Sequence, residues 1–164
     1  IKDEREPIEQ TKARLYVQGG HLTAGGALHF AECCSPIPGD RIVGVQIEGQ
    51  GVMIHTIDCE RLANLQDNEA DWIDLAWTDA AREHALAVGR ILATVENVRG
   101  ALAHLCKIIA DHQGNILDIH TTKRAPDFFD MRFDIEVADV KHLTNIIAAM
   151  RTSTAVREVE RVRG

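Results

Sequence analysis

The alternation of apolar and polar positions changes character once along the chain. From residue 27 to 77 the apolar stretches are short and cut by strong turn signals: LHFAECC, SPIPGD, RIVGVQIEG, QGVMIHT and DWIDLAW follow one another. Ile42, Val43, Val45 and Ile47, then Glu48-Gly49-Gln50-Gly51, then Val52, Met53 and Ile54, predict a hairpin. Residues 59–65 predict a short helix capped by Asp58. Ahead of this region, residues 1–26 are first charged and then Gly-rich, with Gly19-Gly20 and Gly25-Gly26 around His21. They are expected to be an interdomain linker of poor order.

From about residue 83 the periods lengthen and predict the order β-α-β-β-α-β, a ferredoxin-like plan. Residues 86–95 form the expected first strand. Asn97 is the expected cap of a helix whose Val98, Ala101, Leu102, Leu105, Ile108 and Ile109 recur at core-facing spacing, and Gln113-Gly114-Asn115 ends it. Residues 116–122 and 129–137 are the middle strands. In the latter, Met131, Phe133, Ile135 and Val137 alternate with Arg132, Asp134 and Glu136, so one sheet face is expected to be wet. Asp139 caps a second helix with Val140, Leu143, Ile146, Ile147 and Met150, and residues 155–162 supply the last strand. The fold class is therefore α+β, with a β-rich module at 27–78 and a βαββαβ domain at 83–164.

With 164 residues and 45% hydrophobic content, both cores can be filled. No apolar run approaches the roughly 18–20 residues that span a bilayer, and the charged start IKDEREPIEQTKARL does not suit a signal peptide. A soluble, cytoplasmic protein with no membrane partner is expected. The formal net charge of -7 gives no bulk attraction to nucleic acid.

The candidate chemistry lies in the cysteines. Cys33 and Cys34 enter a Pro-Gly turn, and His55 and Cys59 lie one helical turn or less apart in sequence, so three thiols and one imidazole offer zinc ligand types. The alternative is that Cys33 and Cys34 are small buried hydrophobes, with His55 packed on the turn and Cys59 opening a helix. A zinc ion with four protein ligands is closed and structural. A catalytic one needs an open position and a base, for which Glu32, Asp40, Asp58 and Glu60 are the local candidates. Cys106 reads as a core cysteine.

The run HFAECCSPIPGDRIVGVQIEGQGVMIHTIDCERL closely resembles the conserved-cysteine, or zinc-finger, module of long RelA/SpoT homologues, matching Cys33-Cys34, Pro36, Pro38-Gly39-Asp40, Gly44, Gly49, Gly51, His55 and Cys59 in order. The second half resembles the ACT domain that ends the same family. The resemblance implies a regulatory region without a catalytic domain of its own, in a parent protein that makes and hydrolyses (p)ppGpp. It also implies a homodimer through the ACT domain, with the catalytic half of the same protein and the ribosome as partners.

ACT domains commonly bind amino acids, and the turn Asn97-Val98-Arg99-Gly100-Ala101-Leu102, with His104 one helical turn beyond Gly100, has the chemistry for one. Free amides at a helix N-terminus suit a carboxylate, and the Asn97 carbonyl can accept from an ammonium. By analogy a partner subunit presents Asn115, Ile116, Leu117, Asp118 and Ile119, whose apolar members favour a branched-chain amino acid: valine, isoleucine or leucine. The family pattern often has an acidic residue and a proline before the glycine, where this chain has Asn97 and Arg99. Plain capping and packing are the alternatives for these residues. The regulatory expectation is an amino-acid signal that biases the catalytic half toward hydrolysis; the alternative is a ribosome or protein docking module with no small ligand. An independent zinc hydrolase is the third reading.

Overall fold

The computed structural model describes residues 5–8, 13–19, 27–47, 49–63 and 72–163, apart from the side chains of 14 and 15. It divides into two compact units, 1–87 with 163–164, and 88–162.

In the first unit, strands β1 (Glu6–Pro7), β2 (Val17–Gln18), β3 (Leu28–Phe30), β4 (Ile42–Ile47), β5 (Gly51–Thr56), β6 (Trp72–Asp74) and β7 (Ala76–Trp77) alternate with short helices α1 (Ala13–Tyr16), α2 (Glu60–Ala63) and α3 (Asp79–His84). The expected hairpin is β4 and β5, which pair antiparallel from Ile42↔Thr56 to Ile47↔Gly51, although Glu48 of its turn lies outside the described residues. Strand β3 adds parallel to β5 and β6 antiparallel to β4, giving the order β3-β5-β4-β6. Gly51 is required at the hairpin's exit: its φ is +88, and a Cβ there would run into the Ala27 carbonyl, which accepts from the Val52 amide.

The expected linker is only partly outside the described residues, and residues 13–18 correct it. Ala13, Tyr16 and Val17 are buried in one core with Leu28, Ile42, Val52, Ile54 and Trp77, and β2 pairs with β7. Apolar side chains at 13, 16 and 17 are what bind this stretch to the core, and the Gly-rich text after them masks that signal. The expected 59–65 helix is observed as Glu60–Ala63, with 64 and 65 outside the described residues. Asp58 reaches Arg163 Nη1 at 2.9 Å.

The second unit has the expected order: β8 (Ala85–Glu96, its first three residues counted with the first unit), α4 (Ala101–Asp111), β9 (Asn115–Arg124), β10 (Phe128–Val137), α5 (Val140–Arg151) and β11 (Val156–Val162). The sheet runs β11-β8-β10-β9, a ferredoxin-like arrangement. Met131, Phe133, Ile135 and Val137 are buried with Leu105, Ile109, Leu143, Ile146 and Met150. Asp134 lies 3.5 Å from Arg90 Nε and 3.6 Å from Arg132 Nε, placing ion pairs among the alternate, polar positions. Asp139 caps α5, its carboxylate accepting from the His142 amide at 2.7 Å.

Helix α4 ends at the expected Gln113-Gly114-Asn115 run but departs from expectation at its start. Its N-cap is Gly100, in the left-handed region at φ 83, and not Asn97. Asn97 instead donates from Nδ2 to the Pro126 carbonyl at 3.1 Å, while its own amide donates to the Asp127 carbonyl. At the other end Gln113 takes the left-handed position, φ 60, that glycine usually takes. Gly114 serves packing: a Cβ there would lie 2.7 Å from Ile109 Cγ2 and 3.0 Å from Ile135 Cγ2.

The two neighbours should therefore respond oppositely. Gly114→Ala is expected to destabilise by about 1–3 kcal/mol through overpacking. Gln113→Gly should stabilise by about 0.5–1 kcal/mol, because relief of left-handed strain exceeds the added chain entropy. Denaturant titrations followed by far-UV circular dichroism check both signs.

Candidate metal centre and ligand pocket

Three segments bring the sulfurs and imidazole together. Cys33 and Cys34 occupy the turn after β3, where Ser35 adopts φ 44 and its amide donates to the Ala31 carbonyl. His55 is on β5, and Cys59 precedes α2 in a turn closed by its amide on the Thr56 carbonyl. Cys34 and Cys59 belong to a small core with Ala31, Val43, Val45 and Leu62. The turn and the hairpin thus converge because both bury apolar neighbours there.

One ligand atom from each of Cys33, Cys34, His55 and Cys59 lies within 4.8 Å of the others, so the cluster could hold a metal ion. Cys33 Sγ is 3.6 Å from Cys59 Sγ and 3.4 Å from His55 Nδ1, and Cys34 Sγ is 3.8 Å from His55 Nδ1. A tetrahedral ion about 2.3 Å from sulfur and about 2.0–2.1 Å from nitrogen spaces its ligands roughly 3.5–3.8 Å apart. These separations fit that polyhedron.

Burial dominates the electrostatics. Desolvation pushes the Cys34 thiol up to about 12, with the neighbouring sulfurs adding to the rise and the Thr56 amide, 3.3 Å from Sγ, opposing it. Desolvation also raises Cys33, with Cys59 reinforcing it, and holds His55 below its ordinary value, with Arg61 adding to that depression. Burial thus favours the proton-bearing thiols of Cys33 and Cys34 and the neutral imidazole of His55, groups that exchange protons for a cation on binding one. Two of the carboxylates weighed as bases are committed elsewhere: Asp40 Oδ2 accepts from the Ile37 amide at 2.9 Å within the Pro-Gly turn, and Asp58 pairs with Arg163. Thr56 and Arg61 went unnoticed in the sequence, since nothing marks a backbone donor and a single arginine is common.

The pocket residues of the second unit fall into two separate groups. Asn97, Val98, Arg99 and Gly100 form an exposed loop tied to the β9–β10 turn through Pro126 and Asp127. Ala101 is buried, whereas Val98 and Leu102 are 55% and 40% exposed and His104 is exposed. The other group starts β9, at the opposite end of that strand. At about 3.4 Å per residue, residues 115–119 lie roughly 20 Å or more from the turn that holds Asn97. One chain does not bring the groups together. Asn115 Nδ2 donates to Glu136 at 2.7 Å, Asp118 lies opposite Asp134 in the strand register, and Ile116 and Ile119 sit opposite Ile135 and Phe133. Leu117 is the extra residue of a bulge and is 50% exposed. Cys106 is half-buried.

Residues 17–78 match the model of the RelA/SpoT RIS domain, and residues 88–161 match that of the ACT domain. The chain belongs to the regulatory C-terminal region of the RelA/SpoT family. It is 36% identical over 128 residues to the GTP pyrophosphokinase rsh of Brucella ovis, covering 78% of this chain and 17% of that protein. It is 32% identical over 133 residues to the bifunctional (p)ppGpp synthase/hydrolase RelA of Mycobacterium tuberculosis, covering 81% and 18%. The chain thus spans under a fifth of the length of these relatives. Among solved structures, the ACT domain of the Chlorobium tepidum GTP pyrophosphokinase is 22% identical, with a TM-score of 0.42 over 47% of this chain and 99% of that one. No helix among the described residues is long and apolar enough to cross a membrane.

The RIS-domain cluster has a pH signature when metal-free. The folded state holds the Cys34 proton more tightly than the unfolded chain, so this contribution is intact below pH 9.0 and is lost as pH rises through about 12. Tryptophan fluorescence reports the first unit, which contains Trp72 and Trp77, both of the protein's tryptophans. Urea titrations in metal-free buffer should show stability falling across that window, with a shallower fall in Cys34→Ala.

Proposed function

We propose that this chain is the amino-acid-sensing part of a cytoplasmic (p)ppGpp synthetase/hydrolase, binding a branched-chain amino acid between two ACT domains and biasing the catalytic half toward hydrolysis. The observation that carries the reading is apolar surface around an uncapped helix start. Gly100 offers no side chain to the first turn of α4, where the Ala101 amide turns back to the Val98 carbonyl and those of Leu102 and Ala103 lie ahead of any intrahelical acceptor, and Val98 and Leu102 stand exposed beside it. A carboxylate satisfies those amides, and the helix dipole favours its charge.

Asn97 fits the ammonium. With Nδ2 donating to Pro126, its side-chain carbonyl oxygen faces the remaining role of acceptor. The aliphatic side chain would contact Val98 and Leu102 and, from a second copy, Ile116, Leu117 and Ile119. The separation of the two groups within one chain supports a site that needs two chains. The edge position of β9 supports pairing through that strand. Arg99, Asn115, Asp118 and His104 supply the polar rim.

In the RIS domain, we propose a zinc ion held by Cys33, Cys34, His55 and Cys59. Four protein donors leave no open position, so its contribution is structural. The ribosome is the partner in the competing reading, a docking module without a small ligand.

At about 1.5 kcal/mol per non-hydrogen atom as a ceiling, valine cannot exceed about 12 kcal/mol, and micromolar to millimolar affinity is expected. Isothermal titration with each of the twenty amino acids should give saturable heat for valine, leucine or isoleucine, and Asn97→Ala should weaken it about tenfold or more, a loss of at least ~1.4 kcal/mol. No heat from any of them would favour the docking module.

A further inference from the structure

The three sulfurs of the RIS-domain cluster are not equivalent. Cys33 is half-buried, whereas Cys34 is 1% exposed and Cys59 8%. Cys33 Sγ lies 3.6 Å from Cys59 Sγ, about 1.5 Å beyond the length of a disulfide bond. Cys34 is the poorer partner on two grounds. Its sulfur accepts the Thr56 amide, and adjacent residues have Cα atoms roughly 3.8 Å apart, short of the approximately 4.4–6.8 Å that disulfides span.

We propose that Cys33 and Cys59 are a peroxide-responsive pair, with Cys33 the thiol oxidised first and Cys59 the thiol that resolves it into an intramolecular disulfide. In the first step the Cys33 sulfur attacks one peroxide oxygen: the S–O bond forms, the O–O bond breaks, and the departing hydroxide leaves as water with the thiol proton. In the second, the Cys59 sulfur attacks the sulfenic acid: the S–S bond forms, the S–O bond breaks, and the second hydroxide leaves as water with the Cys59 proton. Two electrons pass from the sulfurs to the peroxide, so no further oxidant is required.

Closure of the disulfide consumes two of the four donors, so a cluster in that form cannot hold an ion tetrahedrally. The inference stands on the sulfur geometry and does not require the metal.

The test uses the chain as purified, carrying Cys106→Ser, which removes the one cysteine outside the cluster. After hydrogen peroxide treatment and alkylation of remaining thiols, peptide mapping should show Cys33 linked to Cys59 within one chain, Cys34 alkylated, and the link reversed by a thiol reductant. With Cys59→Ser added, the reaction should stop at a Cys33 sulfenic acid that dimedone traps. A link through Cys34, links only between chains, or dimedone labelling absent from Cys33 would overturn the proposal while leaving the metal reading intact.

Discussion

The first unit depends on one constraint: three sulfurs and an imidazole nitrogen meet within 4.8 Å in a largely buried place. Without a cation, burial disfavours the charged forms of Cys33, Cys34 and His55, most strongly at Cys34, whose thiol is pushed up to about 12. With one, the same burial strengthens every metal–ligand contact, and the Thr56 amide already points at a sulfur as it would at a thiolate. The hairpin, the left-handed Ser35 and the Pro-Gly turn closed by Asp40 keep the donors within 4.8 Å of one another.

The second unit depends on different physics. Its sheet is covered on one face by α4 and α5 through Leu105, Ile109, Leu143, Ile146 and Met150, which satisfies a single domain's need for a core. What is left over is informative: a helix start with no side-chain cap, a β9 edge, and exposed Val98, Leu102 and Leu117. These features sit at two ends of one chain, and the proposed amino-acid site would use a second copy to join them.

The element order of the second unit was readable because its periods are long: Phe133 and Ile135 alternate cleanly, and Asp139 caps as its type prefers. Turns were harder. Asn97 looked like a cap, but the chain makes one more turn to Gly100, and the Asn97 side chain is drawn to a carbonyl in the β9–β10 turn, far away in sequence. Leu102 fits a helical stripe, yet Ala101, Leu105 and Ile109 alone form the buried line. In the first unit, glycines after residue 18 disguised a folded stretch whose Tyr16 and Val17 are core. The four candidate metal ligands were visible from residue type. Their convergence was not, because it comes from long-range pairing of β3, β4 and β5.

Under the proposed reading, an ion at the four donors would organise the first unit. Purified under reducing conditions, the chain should carry one zinc, and a strong chelator should shift its tryptophan unfolding to much lower urea, consistent with a contribution on the order of 10 kcal/mol. A chain that holds no zinc, and whose unfolding curve is the same with added zinc or chelator, would contradict it.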